Sequence, residues 1–243
     1  SWWQRGLRNK SSNVLSLEDF KCHLCWKSKE GDGEWLDREN VSILFYACVF
    51  ARVDVVTEAL QLLPVTDKKK RTDWLKHRVR RKGFVNFGIP GGTNALFAAM
   101  AWGTPDIVRL LLQHGANPKV EDHNGFDPFM YACYYGRNSN IKLWLKQYKK
   151  WDIHRGNRAT GANALTLALN QGPQELETVK MLMEAGFDIT KCASSGVTNL
   201  MAACSNEDAD PEVVELLLTA HSCNPNDHAR PRGVRWTTIR YCA

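Results

Sequence analysis

Thr93-Asn94-Ala95-Leu96-Phe97-Ala98-Ala99 is the stretch whose reading decides the fold, because the chain repeats it. Asp127-Pro128-Phe129-Met130-Tyr131-Ala132 follows the same pattern. So do Asn163-Ala164-Leu165-Thr166-Leu167-Ala168 and Thr198-Asn199-Leu200-Met201-Ala202-Ala203. Ser42-Ile43-Leu44-Phe45-Tyr46-Ala47 is an earlier copy. The later starts, Asn94, Asp127, Asn163 and Thr198, are 33, 36 and 35 residues apart. A fixed period of roughly 20–50 residues is the mark of a stacked-repeat architecture, in which each unit buries its apolar face only against its neighbours.

A second apolar run follows in each copy: Val55-Val56, Ile107-Val108-Arg109-Leu110-Leu111-Leu112, Ile141-Lys142-Leu143-Trp144-Leu145, Val179-Lys180-Met181-Leu182-Met183 and Val214-Glu215-Leu216-Leu217-Leu218. Gly103, Gly136 and Gly172 fall between the two runs, where a positive φ would end the first helix. Gly115-Ala116-Asn117 and Gly186-Phe187-Asp188 close two of the units. Each unit therefore reads as helix, Gly turn, helix and loop.

These residues resemble the ankyrin repeat, whose first helix opens Thr-Pro-Leu-His-x-Ala and whose second carries Val-Val-x-Leu-Leu-Leu before Gly-Ala-Asp. The resemblance covers about residues 40–243 and holds period, both helix signatures and the Gly phrase in one register. It implies an all-α solenoid of five helix–turn–helix repeats, preceded by a capping segment over residues 1–39. The family's His is replaced by Phe45, Phe97, Met130, Thr166 and Met201, and its Pro survives only as Pro128. That His ties neighbouring repeats by hydrogen bonds in the family, so a more apolar stack is expected here. Thr237-Thr238-Ile239-Arg240-Tyr241-Cys242 resembles the start of a truncated sixth repeat. The chain is read as a fragment of a longer protein, a monomer or part of a larger chain.

The chain has 243 residues and a formal net charge of +6. No apolar run approaches the ~18 residues that would span a bilayer, and the first residues, with Arg5, Arg8 and Lys10, do not read as a signal peptide. The positive balance is local. Lys68, Lys69, Lys70, Arg71, Lys76, Arg78, Arg80, Arg81 and Lys82 stand against only Asp67 and Asp73, a net +7 in a chain of net +6. They lie in an insertion at about 64–90 that separates the first two starts. Leu75 and Val79 there are expected to share a short helix, interrupted by Gly83. Four readings stay open for this basic segment: phosphate binding on nucleic acid, an anionic phospholipid surface, a target for a helix-binding groove with Leu75, Val79 and Phe84 as anchors, or a solvated loop.

Eight cysteines are present. Cys48, Cys133 and Cys204 each follow the signature Ala and are expected as small buried hydrophobes. Cys192, Cys223 and Cys242 show no pairing pattern, which points to a reducing, intracellular setting, cytoplasmic or nuclear. Cys22-His23-Leu24-Cys25 has half the ligands of a zinc site and no second pair at a familiar spacing, so no metal is assigned. It reads instead as part of an N-terminal capping helix, with Leu15, Leu17, Phe20 and Leu24 at helical spacing after a Ser16 cap. Phosphate loops, Ser-centred elbows and His-Glu metal pairs are missing, so catalytic residues, cofactors and a small-molecule substrate are not expected.

The expected activity is protein recognition by a scaffold or regulatory module. In ankyrin-like proteins the partner lies on the concave face, built by the end of helix one and the loop tips. Those helix-end positions here are Val49 and Phe50, Ala101 and Trp102, Tyr134 and Tyr135, Asn170 and Gln171, and Ser205 and Asn206. Phe50, Trp102 and Tyr135 form one aromatic column, with Tyr134 beside it. Glu121, His123, Asn124 and Phe126 are expected at the tip of the loop before the third repeat. The rival reading is an anion-binding adaptor that uses the basic insertion on nucleic acid or anionic phospholipid.

Overall fold

A computed structural model describes residues 27–28, 35–36, 41–61, 75–76, 78–79, 91–170, 176–190, 193, 196–206, 210–219, 228–229 and 236–237. Among them ten helices run in five pairs: α1 Ile43–Val49 with α2 Val53–Gln61, α3 Ala95–Ala101 with α4 Pro105–Gln113, and α5 Pro128–Tyr134 with α6 Asn138–Gln147. The last two pairs are α7 Ala164–Asn170 with α8 Leu176–Glu184, and α9 Asn199–Cys204 with α10 Pro211–Thr219. Two small antiparallel ladders complete the described residues. Lys27–Ser28 (β1) pairs with Trp35–Leu36 (β2), and His228–Ala229 (β3) pairs with Trp236–Thr237 (β4).

Helices of six or seven residues do not hold themselves together in water. The polar residue at the start of each repeat solves part of this locally. Ser42, Asn94, Asp127 and Thr198 are N-caps whose side chains accept the backbone N–H of Phe45, Leu96, Met130 and Met201. Asn163 does the same for Thr166 at 2.9 Å. Such a cap is worth about 1 kcal/mol. Stacking supplies the rest. The first helices form one layer, α1 on α3, α3 on α5, α5 on α7 and α7 on α9, and the second helices form another behind it. Leu44, Leu96, Phe129, Leu165 and Leu200 make a fully buried column through the first layer. Ala47, Ala99, Ala132, Ala168 and Ala203 make a second, whose small size lets successive helices approach closely. Val55, Ile107, Ile141, Val179 and Val213 are the matching buried column of the second layer.

The substituted His column is buried as well: Phe45, Phe97, Met130, Thr166 and Met201 all lie inside. Phe97 packs edge-on against Tyr131 of the next repeat, with ring centroids 4.9 Å apart. At this joint packing of rings stands where the resemblance implies a hydrogen bond, while Thr166 in the same column keeps one, its Oγ1 donating to Asn199 Oδ1 at 3.3 Å. Polar staples remain elsewhere. Asn140 Nδ2 reaches the carbonyls of Ala99, Met100 and Gly103 at 3.1–3.2 Å, and Arg137 Nε donates to Ala101 O at 2.7 Å.

Three expectations need correction. Gly136 has the positive φ foreseen for the turn (60°), but Gly103 does not. Gly103 is required because a Cβ there would lie 2.8 Å from Ala99 O. In the first repeat a non-glycine, Ala51, takes the positive φ (54°). The helix expected to join Leu75 and Val79 does not extend that far. Val79 is paired instead with the loop before α3, its N–H donating to Thr93 O at 2.8 Å and its carbonyl accepting from Gly92 N at 2.9 Å. Leu75 and Val79 are both buried, and Leu75 O accepts from Asn94 Nδ2, so this part of the insertion is built into the second repeat. The capping helix over residues 15–24, Gly172 and most of the truncated sixth repeat lie outside the described residues.

Candidate interaction surface

Trp102 and Tyr135 cap α3 and α5 at their C-terminal ends, one repeat apart. Stacking brings their rings together, centroids 4.9 Å apart and tilted by 52°. Tyr134 extends the group, 4.7 Å from Tyr135, and Tyr131 lies beneath, 6.3 Å from Tyr135. Phe126 leans on Tyr131 at 6.2 Å. Trp102, Tyr134, Tyr135 and Phe126 are half-buried, while Phe97 and Tyr131 are buried. The result is a small aromatic cluster that rests on Phe97, Ala101, Val120 and Tyr131, with Trp102 touching the main core as well. Burial pushes the Tyr135 hydroxyl up to about 12, with Tyr134 adding to the effect, so it is a neutral hydrogen-bonding group.

The expected column is therefore only partly realised. Trp102 and Tyr135 meet, whereas Phe50 packs half-buried against the main core and is not part of the second cluster. Phe126, expected at the loop tip, is a supporting wall of the cluster. Asn170 and Gln171 lie outside the described side chains. Ser205 and Asn206 are half-buried, and Asn206 donates to Leu169 O at 3.3 Å.

The loop before α5 is held from three directions. Asp122 Oδ1 accepts the backbone N–H groups of Asn124 (2.8 Å) and Phe126 (2.9 Å), and Oδ2 accepts the Tyr131 hydroxyl at 3.1 Å. Burial raises the Asp122 carboxyl and the Tyr131 hydroxyl above their ordinary ranges. Glu121 forms ion pairs with Arg155 (2.5 Å) and Arg158 (2.6 Å) of the next loop. Arg78 Nη1 donates to Glu121 O at 2.9 Å from the insertion side. His123 is exposed and its N–H donates to Gly91 O at 3.0 Å; its ring lies so close to Gly92 that a Cβ there would be 2.6 Å from Cδ2. Arg78, Lys119, Glu121, Asp122, His123 and Arg158 line an open cleft of about 570 Å³.

Sequence reasoning missed Asp122, Tyr131, Arg155 and Arg158. Asp122-His123-Asn124-Gly125 does carry the signal of an Asx turn, since Asp bonds backbone two residues on. Arg155 could have been found by laying one loop over the next. Of the basic insertion, only Lys76 and Arg78 are described; Lys68, Lys69, Lys70, Arg71, Arg80, Arg81 and Lys82 are not. Cys48 and Cys133 are free and buried, which raises their thiols and removes their nucleophilic form, while Cys204 is free and half-buried. Among the described residues no cluster of His, Cys, Asp or Glu could hold a metal ion, and no helix is long and apolar enough to cross a membrane.

The sequence model described as ankyrin repeats (3 copies) matches residues 74–156 and again 129–229, together well over half of the chain. The chain belongs to the ankyrin-repeat family. Two of the relatives it matches are named for that repeat together with another part. Ankyrin repeat and SOCS box protein 6 of Homo sapiens is 27% identical over 158 residues, 63% of this chain and 37% of that protein. The B-cell lymphoma 3 protein homolog of Mus musculus is 34% identical over 124 residues, 50% of this chain and 27% of that protein. Ankyrin repeat and KH domain-containing protein mask-1 of Caenorhabditis elegans is 35% identical over 105 residues, 42% of this chain but 4% of that protein. The chain thus spans little more than a third of the curated relatives' length at most. Ankyrin repeats are generally protein-interaction modules, and the match indicates no catalytic family.

Proposed function

We propose that the protein is a non-catalytic scaffold or regulatory module that binds a protein partner on the concave face of repeats two and three. The carrying observation is the half-buried Trp102–Tyr135–Tyr134 group, presented across the joint between two repeats. Large rings with restricted rotamers lose little entropy on contact and dominate interface energetics. The exposed loop residues His123 and Asn124 would give polar edge contacts. The setting is intracellular, where the unpaired thiols of Cys48 and Cys133 stay reduced.

The test is capture of partners by the wild-type protein and by a Trp102→Ala/Tyr135→Ala double variant matched for helicity. Loss of a protein partner from the double variant, with retention through a high-salt wash, supports the reading. An unchanged partner set sinks it. A partner set of nucleic acid or phospholipid, released by salt and by neutralising Lys76 and Arg78, would favour the anion-binding adaptor instead.

A further inference from the structure

The cleft beside the aromatic group has a charge character of its own. Four cations surround it or brace its wall: Arg78, Lys119, Arg155 and Arg158. The carboxylates among them are already engaged. Glu121 is held by Arg155 and Arg158, and Asp122 by two backbone N–H groups and the Tyr131 hydroxyl. Asp127, behind the wall, caps α5 and faces Arg155 at 3.7 Å. The positive groups are not all used. Lys119 makes no side-chain hydrogen bond or ion pair among the described residues, although it lines the cleft. Arg78 spends one donor on a neutral carbonyl, Glu121 O, and keeps the rest of its guanidinium fork. Arg158 is largely exposed, at 71% for the side chain, and pairs through one nitrogen. Three cationic side chains therefore converge on one cleft with unspent donors, and the local carboxylates have little left to offer them.

The cleft is tied to the aromatic group through its buried wall. Asp122 lines it, and the Asp122–Tyr131 hydrogen bond joins that wall to the ring on which Tyr135 and Phe126 rest. We propose that this cleft receives the carboxylates of an acidic peptide segment, one of whose neighbouring apolar side chains sits on Trp102 and Tyr135. Arg78 and Arg158 offer planar forks suited to carboxylate, and Lys119 adds an unneutralised point charge. This rests on the concave-face reading and specifies its partner: an extended acidic segment with an apolar anchor. The charges set orientation and encounter rate, and the rings hold the complex.

The experiment is selection of random peptides displayed on phage against four proteins: the wild type, Lys119→Glu/Arg158→Gln, Lys119→Glu alone, and Trp102→Ala/Tyr135→Ala. Both cleft positions are exposed, and Lys119→Glu alone serves as a second variant that leaves the Glu121 pairs intact. The wild type is expected to enrich peptides with acidic residues beside an aromatic or large aliphatic one. The cleft variants should lose the acidic preference and bind the selected peptide roughly tenfold more weakly, while keeping the apolar preference. Apolar enrichment without acidic residues overturns the cleft proposal and leaves the concave-face reading standing. Acidic enrichment that the aromatic variant retains supports the cleft and sinks the aromatic seat. No enrichment at all overturns both. Binding of single-stranded DNA or phosphoinositide vesicles in preference to the selected peptide, lost in Lys119→Glu, reassigns the cleft to phosphate.

Discussion

Asp127 shows how one side chain can serve the fold at a cost. It caps α5 by accepting Met130 N at 2.8 Å and is buried. Burial raises its carboxyl to about 6, against the opposing pull of that hydrogen bond and of Arg155. The folded state thus holds the proton more tightly than the unfolded chain, whose carboxyl titrates near 3.8. Stability from this group is greatest below the unfolded value and falls as pH rises through about 6, after which the folded protein carries the burial cost in full. Asn94 and Asn163 cap their helices without that cost. Asp127→Asn is therefore expected to stabilise the protein near pH 7 by on the order of 1 kcal/mol, with the difference fading towards pH 4. Urea midpoints at the two pH values check this. A variant weaker at both would mean that the Arg155 pairing outweighs burial.

The elements show which parts of the structure a sequence discloses. Repeat starts and helix spans were legible because each is set within one unit and repeated. Ser42, Asn94, Asp127, Asn163 and Thr198 are a local hydrogen-bonding pattern before an apolar run, and they cap the helices they precede. Contacts between units were not legible. Nothing local says that Gly103 serves close packing on Ala99 and not a positive φ, or that Val79 pairs with Thr93 and not with a helix. The site divides the same way. Trp102 and Tyr135 could be placed by counting from the repeat starts, whereas the hold of Arg155 and Arg158 on Glu121 needs the neighbouring loop in place. Asn140 is the sharpest case of a joint between elements. It opens α6 as an ordinary polar residue in sequence, yet it is buried and its two amide protons serve three carbonyls at the end of α3. Asn140→Ala would leave those carbonyls short of a donor, at a cost of roughly 1–3 kcal/mol. Thermal or chemical denaturation measures it, and a loss below about half a kcal/mol would mean the carbonyls find other donors.

Across the whole molecule, stability is a sum of units and joints, and the joints decide whether the array unfolds as one body. On the loop side, repeats three and four are joined by backbone as well as ion pairs. Arg158 N and Ala159 N donate to Asn124 O at 3.1 and 3.2 Å. The approach is close enough that a Cβ on Gly125, whose φ is 83°, would lie 2.7 Å from Arg158 N. Gly186 provides a natural control: its φ is 88°, but a Cβ there meets nothing within 4 Å. Both Gly→Ala changes incur the conformational penalty of about 1–2 kcal/mol. Only Gly125→Ala must also push two loops apart, for a total of roughly 2–4 kcal/mol. Segment-resolved hydrogen exchange distinguishes a joint from a local cost. In Gly125→Ala, α7–α10 should open at a lower free energy than α3–α6, as the joint between them weakens. In Gly186→Ala the two halves should stay coupled and fall together by the smaller amount. Equal costs with coupled opening in both variants would show that the loops contribute little to the joint. Cohesion between repeats would then rest on the buried columns and the polar staples within the stack.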